Sequence, residues 1–261
     1  MKTRKSLSAV LFFLGAMISS TAQTDTKLDS LALELQNPVA NLIQLPVNTD
    51  YTYGYDPFDG NQMLISVEPV VPMILSENWN VVFRLVAPFV TQSDVTSDGD
   101  SETGLRDFTL SAFFVPKSKG LIVGFGPIIT LPTATENVLG AGKWSLGPTL
   151  ATLIQTTSTT VGVLLNQSWS VTGNSNRADV SSTLVQPFFA QNFGKGWAVQ
   201  VSAQTVLDWK NDSTNGKATP VAQKLVNFGK IPIRFGAGPV IPFGNGNLAE
   251  FGLRLAITAS L

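Results

Sequence analysis

The last eleven residues of the chain alternate strictly between apolar and small or polar side chains. Every odd position from 251 to 261 is apolar, and every even position is small or polar. Successive side chains of a strand point to opposite faces, so this segment predicts a strand with one apolar and one polar wall. Strands of about ten residues with this alternation are typical of transmembrane β-barrels.

Similar runs recur from residue 42 onward, separated by clusters of Gly, Asn, Asp, Ser and Thr, which predicts an all-β fold. There are twelve runs: 42–53, 61–75, 79–91, 105–116, 121–133, 143–155, 160–172, 182–193, 197–209, 219–228, 231–243 and 248–261. Single-chain bacterial barrels have an even number of strands. The sequence therefore predicts a transmembrane antiparallel β-barrel of about twelve strands over residues 42–261.

The lengths of the connections support this prediction. Short links at 76–78, 117–120, 156–159, 194–196 and 229–230 alternate with longer polar links at 92–104, 134–142, 173–181 and 210–218. Outer-membrane barrels have short turns on the periplasmic side and long loops outside. A soluble periplasmic all-β protein is the structural alternative, but it has no reason to alternate in this way.

The tryptophans fall near the ends of the predicted strands. Trp79 and Trp197 are expected at the periplasmic rim, and Trp144, Trp169 and Trp209 at the outer rim. Aromatic girdles at both interfaces are typical of membrane barrels. The alternative is that these rings pack in a soluble core.

The N-terminus predicts a secretory signal peptide over residues 1–22. Three basic residues precede a short apolar core, and Ser20-Thr21-Ala22 supplies a small-residue cleavage pattern. Residues 23–41 form a separate N-terminal segment, in which helical spacing of leucines predicts a short helix over 27–36 that stops at Asn37-Pro38. A helix this short is unstable alone, so we expect it to dock on the periplasmic rim or inside the lumen.

Composition excludes several function classes. After removal of the signal, 14 basic and 18 acidic residues remain, which argues against a nucleic-acid partner. The chain has no cysteine and no histidine, so it lacks a thiolate nucleophile, the usual general base of hydrolases and the commonest metal ligand. We expect no enzyme activity, no metal site and no cofactor.

The inward faces of the predicted strands carry charged residues. Taking the tryptophan-bearing faces as outward, the candidate pore-lining residues are Glu68, Arg84, Asp107, Lys143, Asp208, Arg234 and Arg254. One interpretation is a charged lumen that selects permeants. The other is a set of Arg–carboxylate pairs that hold the interior together.

Glycine and proline do not fit the strand pattern simply. Six prolines interrupt predicted strands, and the expected solution is β-bulges, which are frequent at barrel rims. These residues are Pro69, Pro88, Pro127, Pro148, Pro187 and Pro239. Six glycines fall on inward faces, where they would widen the lumen or leave space for a plug; they are Gly124, Gly126, Gly147, Gly162, Gly236 and Gly238.

Several motifs carry a family resemblance. The most specific block runs from Leu131-Pro132-Thr133-Ala134-Thr135 to Leu139-Gly140-Ala141-Gly142-Lys143-Trp144-Ser145, and residues 36–43, 169–173 and 186–188 also match. The chain resembles a bacterial family of outer-membrane transporters related to the meta-pathway of phenol degradation. The resemblance implies a β-barrel in the outer membrane and brings no catalytic residues. It singles out an outer-loop motif of Thr133, Thr135, Lys143 and Trp144.

These observations together predict an outer-membrane channel for passive uptake of small, apolar or aromatic solutes. Its expected partners are outer-membrane lipid, the permeant, and the barrel-assembly machinery, which would be reached through the C-terminal strand. The alternative is a structural or surface-interaction barrel, plugged by its N-terminal helix and without transport activity. A membrane hydrolase is a third hypothesis, which the absence of histidine disfavours.

Overall fold

The structure is a computed structural model that describes residues 26–118, 120–229, 231–246 and 248–261. It contains a short N-terminal helix, α1 (Thr26–Glu34), followed by strands, with one 3-10 turn at Asn137–Leu139. The strands are β1 (Gln44–Tyr55), β2 (Gly60–Val67), β3 (Val70–Ile74), β4 (Trp79–Ser93), β5 (Ser101–Leu105), β6 (Phe108–Pro116), β7 (Leu121–Leu131), β8 (Lys143–Gln155), β9 (Thr159–Gly173), β10 (Ser181–Gly194), β11 (Trp197–Asp208), β12 (Ser213–Phe228), β13 (Ile231–Gly244) and β14 (Phe251–Ser260). The predicted signal peptide lies outside the described residues.

All strands pair antiparallel with their neighbours, and the sheet closes on itself. β14 pairs with β13 on one side and with β1 on the other, where Asp50 lies opposite Arg254. β2 and β3 both pair with the same side of β4, so they form one strand interrupted at residues 68–69. β5 and β6 likewise form one strand interrupted at residues 106–107. The result is a closed barrel of twelve strands, which confirms the predicted fold class.

The predicted runs agree with the observed strands apart from their limits at the loops. β8 matches its predicted run at both ends, whereas β12 begins at Ser213, six residues before the predicted start. The predicted outer loop at 210–218 is therefore wrong, because most of it belongs to β12. The segment Ser-Thr-Asn-Gly-Lys-Ala is polar or small on both faces, so it carries no alternation to show that it is a strand.

The outer face of the barrel is apolar. On β14, Leu253 and Leu255 are 57% and 62% exposed, whereas their neighbours Gly252, Thr258 and Ser260 are buried. Exposed apolar side chains surround the whole barrel and include Tyr51, Phe83, Phe89, Phe114, Phe125, Leu146, Val161, Val199, Val201, Ile241 and Ile257. A closed barrel with an apolar outer belt is the form in which strands cross a membrane, because every backbone group is satisfied within the wall.

The two ends of the barrel differ in their connections. At one end, here called the short-turn end, tight turns at 75–78, 156–158 and 195–196 join the strands. In the turn between β10 and β11, Gly194, Lys195 and Gly196 all have positive φ. This conformation favours glycine, and glycine occupies two of the three positions. At the other end, here called the long-loop end, longer segments at 94–100, 132–142 and 174–180 connect the strands.

The strand prolines are accommodated by gaps in the hydrogen-bond ladder. Between β8 and β9 the pairs Leu146–Trp169 and Thr149–Asn166 have the same register, so Pro148 interrupts the ladder without an inserted residue. Similar gaps occur at Pro127, Pro187 and Pro239. The expectation of bulges is wrong at these four prolines. It holds at Pro88, because the register shifts by one residue between the pairs Phe89–Leu105 and Val86–Thr109. Other register shifts occur near the strand ends, at 53–55, 144–145 and 192–194.

The glycines that precede these prolines are required by close backbone approach. A Cβ at Gly147 would lie 1.8 Å from the carbonyl oxygen of Gln167, and one at Gly238 would lie 1.9 Å from that of Pro220. Gly124 instead faces the N-terminal segment, since a Cβ there would lie 3.2 Å from Cγ1 of Val39. Space for a plug therefore explains Gly124, whereas packing between strands explains Gly147 and Gly238.

The N-terminal segment lies inside the short-turn end of the barrel. Ala32 and Leu35 pack on Leu225 of β12, and Val39 belongs to an apolar cluster contributed by inward side chains of the wall. That cluster comprises Val70, Val82, Phe113, Val115, Ala151, Leu153, Leu164 and Phe188. Both predicted docking places are observed, because Asp29 of α1 accepts a hydrogen bond from the N–H of Gly196 in a turn at the rim and the residues after α1 lie in the lumen. No helix in the described part of the chain is long and apolar enough to cross a bilayer.

Candidate functional site

A cavity of about 640 Å³ occupies the centre of the barrel, above the N-terminal segment. Residues 35–38 form its floor, and residues 138–141 of the loop between β7 and β8 form part of its roof. The wall between them is mixed, with apolar residues such as Leu164 and Phe188 and polar residues such as Gln200. The cavity therefore offers both apolar contact and hydrogen-bonding groups to a small molecule.

A second cavity of about 550 Å³ lies towards the long-loop end. Its lining includes Asp50, Tyr55 and residues 248–249. Four residues line both cavities and so lie where the two meet, namely Leu64, Arg106, Gln204 and Lys217. The two cavities are thus consecutive spaces within one lumen.

Buried hydrogen bonds hold the floor in place. Gln36 donates from Nε2 to Oδ1 of Asn192 over 2.6 Å, and its Oε1 accepts a hydrogen bond from the Thr160 hydroxyl over 2.9 Å. Arg234 donates to the carbonyl oxygen of Leu35 over 2.9 Å, at the end of α1. These bonds join the segment to three separate strands, so it is fixed at several points of the wall.

The roof is held by polar contacts to the interruption between β5 and β6. Asp107 accepts hydrogen bonds from the backbone N–H groups of Ala134 and Ala141, over 3.1 and 2.7 Å. Thr133 accepts from the N–H of Phe108 over 2.9 Å, and Thr135 accepts from the N–H of Leu105 over 3.1 Å. The two threonines therefore satisfy strand N–H groups that flank the interruption, and they fix the loop against the wall.

Two groups of ion pairs join strands along the inner surface of the barrel wall. Arg84 lies 2.5 Å from Glu68, with both side chains mostly buried. Arg254 donates to both oxygens of Asp50 over 2.6 Å, and Lys217 lies 2.8 Å from the same carboxylate. A bidentate Arg–carboxylate pair is geometrically specific, so Asp50 fixes Arg254 across the closure between β1 and β14.

The structure distributes the candidate pore-lining residues unevenly. Five of them line the central cavity, namely Glu68, Arg84, Asp107, Arg234 and Arg254. Lys143 lies outside both cavities and forms an ion pair with Asp179 at 3.2 Å. Asp208 also lies outside them, and its carboxylate accepts hydrogen bonds from the backbone of Lys210 and Asn211 in the hairpin turn.

The outer-loop motif separates into different environments. Thr133 and Thr135 hold the roof, as described above, and Lys143 is buried beside Asp179. Hydrogen bonds from Lys143 and Ser170 hold the pKa of the Asp179 carboxyl below its ordinary value. Trp144 points outward and is exposed, in agreement with a place in an aromatic girdle. The motif is therefore mainly a loop anchor.

Sequence reasoning did not single out Asp50, Arg106 or Lys217. Lys217 falls in the predicted loop at 210–218, and Asp50 pairs with a residue 204 positions away, so no local pattern joins them. A signal for Arg106 was present, since Arg106-Asp107 places two adjacent charges within an otherwise alternating run. Within the described ranges, no three carboxylates lie together as a metal site would require.

Comparison with known proteins agrees with this architecture. A family model described as "Putative MetA-pathway of phenol degradation" matches residues 70–216, more than half of the chain. The structure is similar to that of an outer membrane channel from Pseudomonas putida F1, with a TM-score of 0.63 and 15% sequence identity over 84% of this chain and 96% of that one. No curated protein matches the sequence. At this identity the likeness concerns the fold alone. A closed barrel with an apolar outer belt is the fold of a bacterial outer-membrane protein, which confirms the prediction.

Proposed function

This chain belongs to the family described as "Putative MetA-pathway of phenol degradation", and we propose that it is an outer-membrane channel for the passive uptake of small apolar or aromatic solutes. The observation that carries the proposal is the central cavity of about 640 Å³. Sites for small molecules have volumes of about 300–1,000 Å³ and combine apolar walls with a few polar groups. Barrels of about eight strands fill their interior with side chains, whereas wider barrels enclose space for a ligand or a channel.

The proposed path runs along the barrel axis. A solute would enter at the long-loop end, pass the junction of the two cavities and reach the floor formed by residues 35–38. Apolar side chains of the wall would hold its body, and they include Leu64, Val86, Leu164, Leu184 and Phe188. The charged residues Glu68, Arg84, Asp107, Arg234 and Arg254 would set selectivity electrostatically.

Further partners of the proposed channel follow from its place in the membrane. The exposed apolar belt would contact outer-membrane lipid. β14 ends the described chain and pairs with both β13 and β1, so its pairing completes the barrel. This supports the proposal that the barrel-assembly machinery reads that strand.

The alternative is a structural barrel that the N-terminal segment keeps permanently closed. The observation that favours it is the number of independent contacts at the floor, which include Gln36 with Asn192 and Arg234 with Leu35. Transport along the axis requires these contacts to break or the segment to shift. The two functions therefore differ in what removal of the segment does.

Conductance of the purified, refolded protein across a planar lipid bilayer tests the proposal. A channel predicts discrete current steps for the full mature protein, and larger steps for a variant that lacks residues 23–41. Folding of both proteins is checked by their resistance to unfolding on unheated gels. No current from either folded protein would overturn the channel. Current only from the shortened variant would favour the permanently plugged barrel.

A further inference from the structure

The lumen is more positive than the chain as a whole. Among the described residues that line the two cavities there are five cations, Arg84, Arg106, Lys217, Arg234 and Arg254. The carboxylates that line them are three, Asp50, Glu68 and Asp107. The full sequence carries a net charge of −1, so the positive excess is local to the lumen. A narrow, low-dielectric space with an excess of one sign attracts ions of the other.

The internal ion pairs do not remove this excess. Glu68 neutralises Arg84, but Asp50 is shared between Arg254 and Lys217, which leaves one positive charge at that cluster. Asp107 accepts hydrogen bonds from two backbone N–H groups of the roof and keeps its negative charge, so five cations against three carboxylates leave a net charge of +2. Among the described residues, neither Arg106 nor Arg234 lies within ion-pair distance of a carboxylate.

Arg106 is the cation with the most unused hydrogen-bonding capacity. Its Nε donates to the carbonyl oxygen of Leu139 over 3.4 Å, a long hydrogen bond, and no described residue accepts from its two terminal nitrogens. Arg234, in contrast, uses both terminal nitrogens, on Leu35 and on Thr258. The terminal nitrogens of an arginine match the two oxygens of a carboxylate.

Position adds to this argument. Arg106 and Lys217 both line both cavities, so both lie at the junction through which a permeant would pass. Lys217 lies on β12, across the barrel from Arg106, and its ammonium is 2.8 Å from Asp50. On the Arg106 side, Leu64 lines the same junction and Val86 of the neighbouring strand β4 lines the central cavity. An anionic group at the junction would therefore have an apolar surface beside it.

We infer that the junction is a binding site for the carboxylate of small amphipathic permeants, with Arg106 as the bidentate donor. The apolar body of the permeant rests on the side chains of the central cavity. This inference deepens the proposed channel function and rests on it, because it names the class of solute that the channel prefers.

Calorimetric titration of the folded, detergent-solubilised protein with benzoate and with benzamide tests the site at low ionic strength, where charge is least screened. The two probes have similar shapes and differ in charge. We expect benzoate to bind at least about tenfold more tightly than benzamide, as a charged hydrogen bond in a partly buried site allows. Equal affinities for the two probes in the unmodified protein would overturn the inference.

Variants assign the preference to a residue. Arg106→Gln should remove the preference for benzoate, and Arg106→Lys should retain part of it, because the charge remains while the bidentate geometry is lost. Lys210→Gln is the matched control, since Lys210 is exposed in the turn after β11 and lines neither cavity. A preference that persists in folded Arg106→Gln would contradict the assignment. If that variant does not fold, Arg106→Lys serves in its place, and an unchanged preference in folded Arg106→Lys would then contradict the bidentate role.

Current measurements separate this inference from the proposed function. A protein that conducts but binds the two probes equally is a channel without the carboxylate site. A protein that binds benzoate preferentially but passes no current has the site and is not a channel. A conducting protein with the preference should also be anion-selective in a KCl gradient. In Arg106→Gln its reversal potential should shift from the chloride equilibrium potential towards the potassium equilibrium potential.

Discussion

The two ends of the barrel are closed by different kinds of contact. At the short-turn end, Val39 is 3% exposed and packs with Phe113 and Leu153, which are 0% and 1% exposed. At the long-loop end, the roof segment 132–142 is held by hydrogen bonds to Asp107 and by Arg177, which donates to the carbonyl oxygens of Gly140 and Ala141. The short-turn closure combines buried apolar packing with the buried hydrogen bonds of Gln36, whereas the long-loop closure is mainly polar and more exposed to water.

This difference has a consequence for opening. Apolar side chains that leave the floor cluster are exposed to water, which costs about 25 cal/mol for each Å² exposed. Polar groups that leave the roof exchange their protein partners for water, so their net cost is only about 0.5–1.5 kcal/mol for each hydrogen bond. We therefore expect the long-loop end to open more often than the short-turn end.

The largest expected effect comes from a charge placed at the floor. Val39→Asp would bury a carboxylate in the cluster around Phe113 and Leu153, and the effective penalty for a buried ion is several kcal/mol. The N-terminal segment should then leave the lumen. Hydrogen exchange of the amides of residues 35–40 should accelerate by about a hundredfold or more, as on the order of 3 kcal/mol implies.

The same substitution at the other end is the matched control for this prediction. Val138 also lines the central cavity, but it is 53% exposed, so Val138→Asp places its carboxylate in contact with water. We expect little change in exchange at either end. Equal effects of Val39→Asp and Val138→Asp would show that the two ends do not differ in the way described.

The amino-acid pattern predicts one side of this comparison better than the other. Apolar residues recur at the outward positions of the strands because these positions face lipid, and this alternation predicts the twelve strands. The lumen imposes no comparable rule, because an inward position can hold either an apolar residue that packs in the interior or a polar residue that bonds to water or to another polar group. The pattern therefore predicts a loop at Lys217, although this residue lies in β12 and lines both cavities.

Contacts between distant residues were beyond prediction for a related reason. The pair of Asp50 and Arg254 exists only because β1 closes on β14, and the pair of Gln36 and Asn192 exists only because α1 enters the lumen. A helix could be predicted from leucine spacing, but its docking place depends on the shape of the assembled wall. Local periodicity carries no information on that shape.

An intermediate effect is expected at the roof. Asp107→Ala removes the acceptor of two backbone N–H groups, and the loss should weaken the attachment of the loop by about 1–3 kcal/mol. Exchange of the amides of Ala134 and Ala141 should accelerate about 5- to 150-fold, while the thermal unfolding of the barrel changes little. Asp98→Ala, in an exposed loop, is the control and should leave both amides unchanged. Destabilisation of the whole barrel by Asp107→Ala would contradict the view that this contact is local.

The smallest effect is expected at the ion pair of Lys143 and Asp179, next to the roof. Asp179 is 65% exposed, so the pair is well screened and contributes little at neutral pH. Hydrogen bonds from Lys143 and Ser170 lower the pKa of Asp179 in the folded protein, so the contribution is present above the ordinary carboxyl pKa of about 3.9 and is lost as the pH falls through the lowered value. Exchange in residues 174–180 should therefore accelerate below about pH 4, after correction for intrinsic rates. In Asp179→Asn this acid-dependent step should disappear, whereas an identical step in the variant would assign it to another carboxyl group.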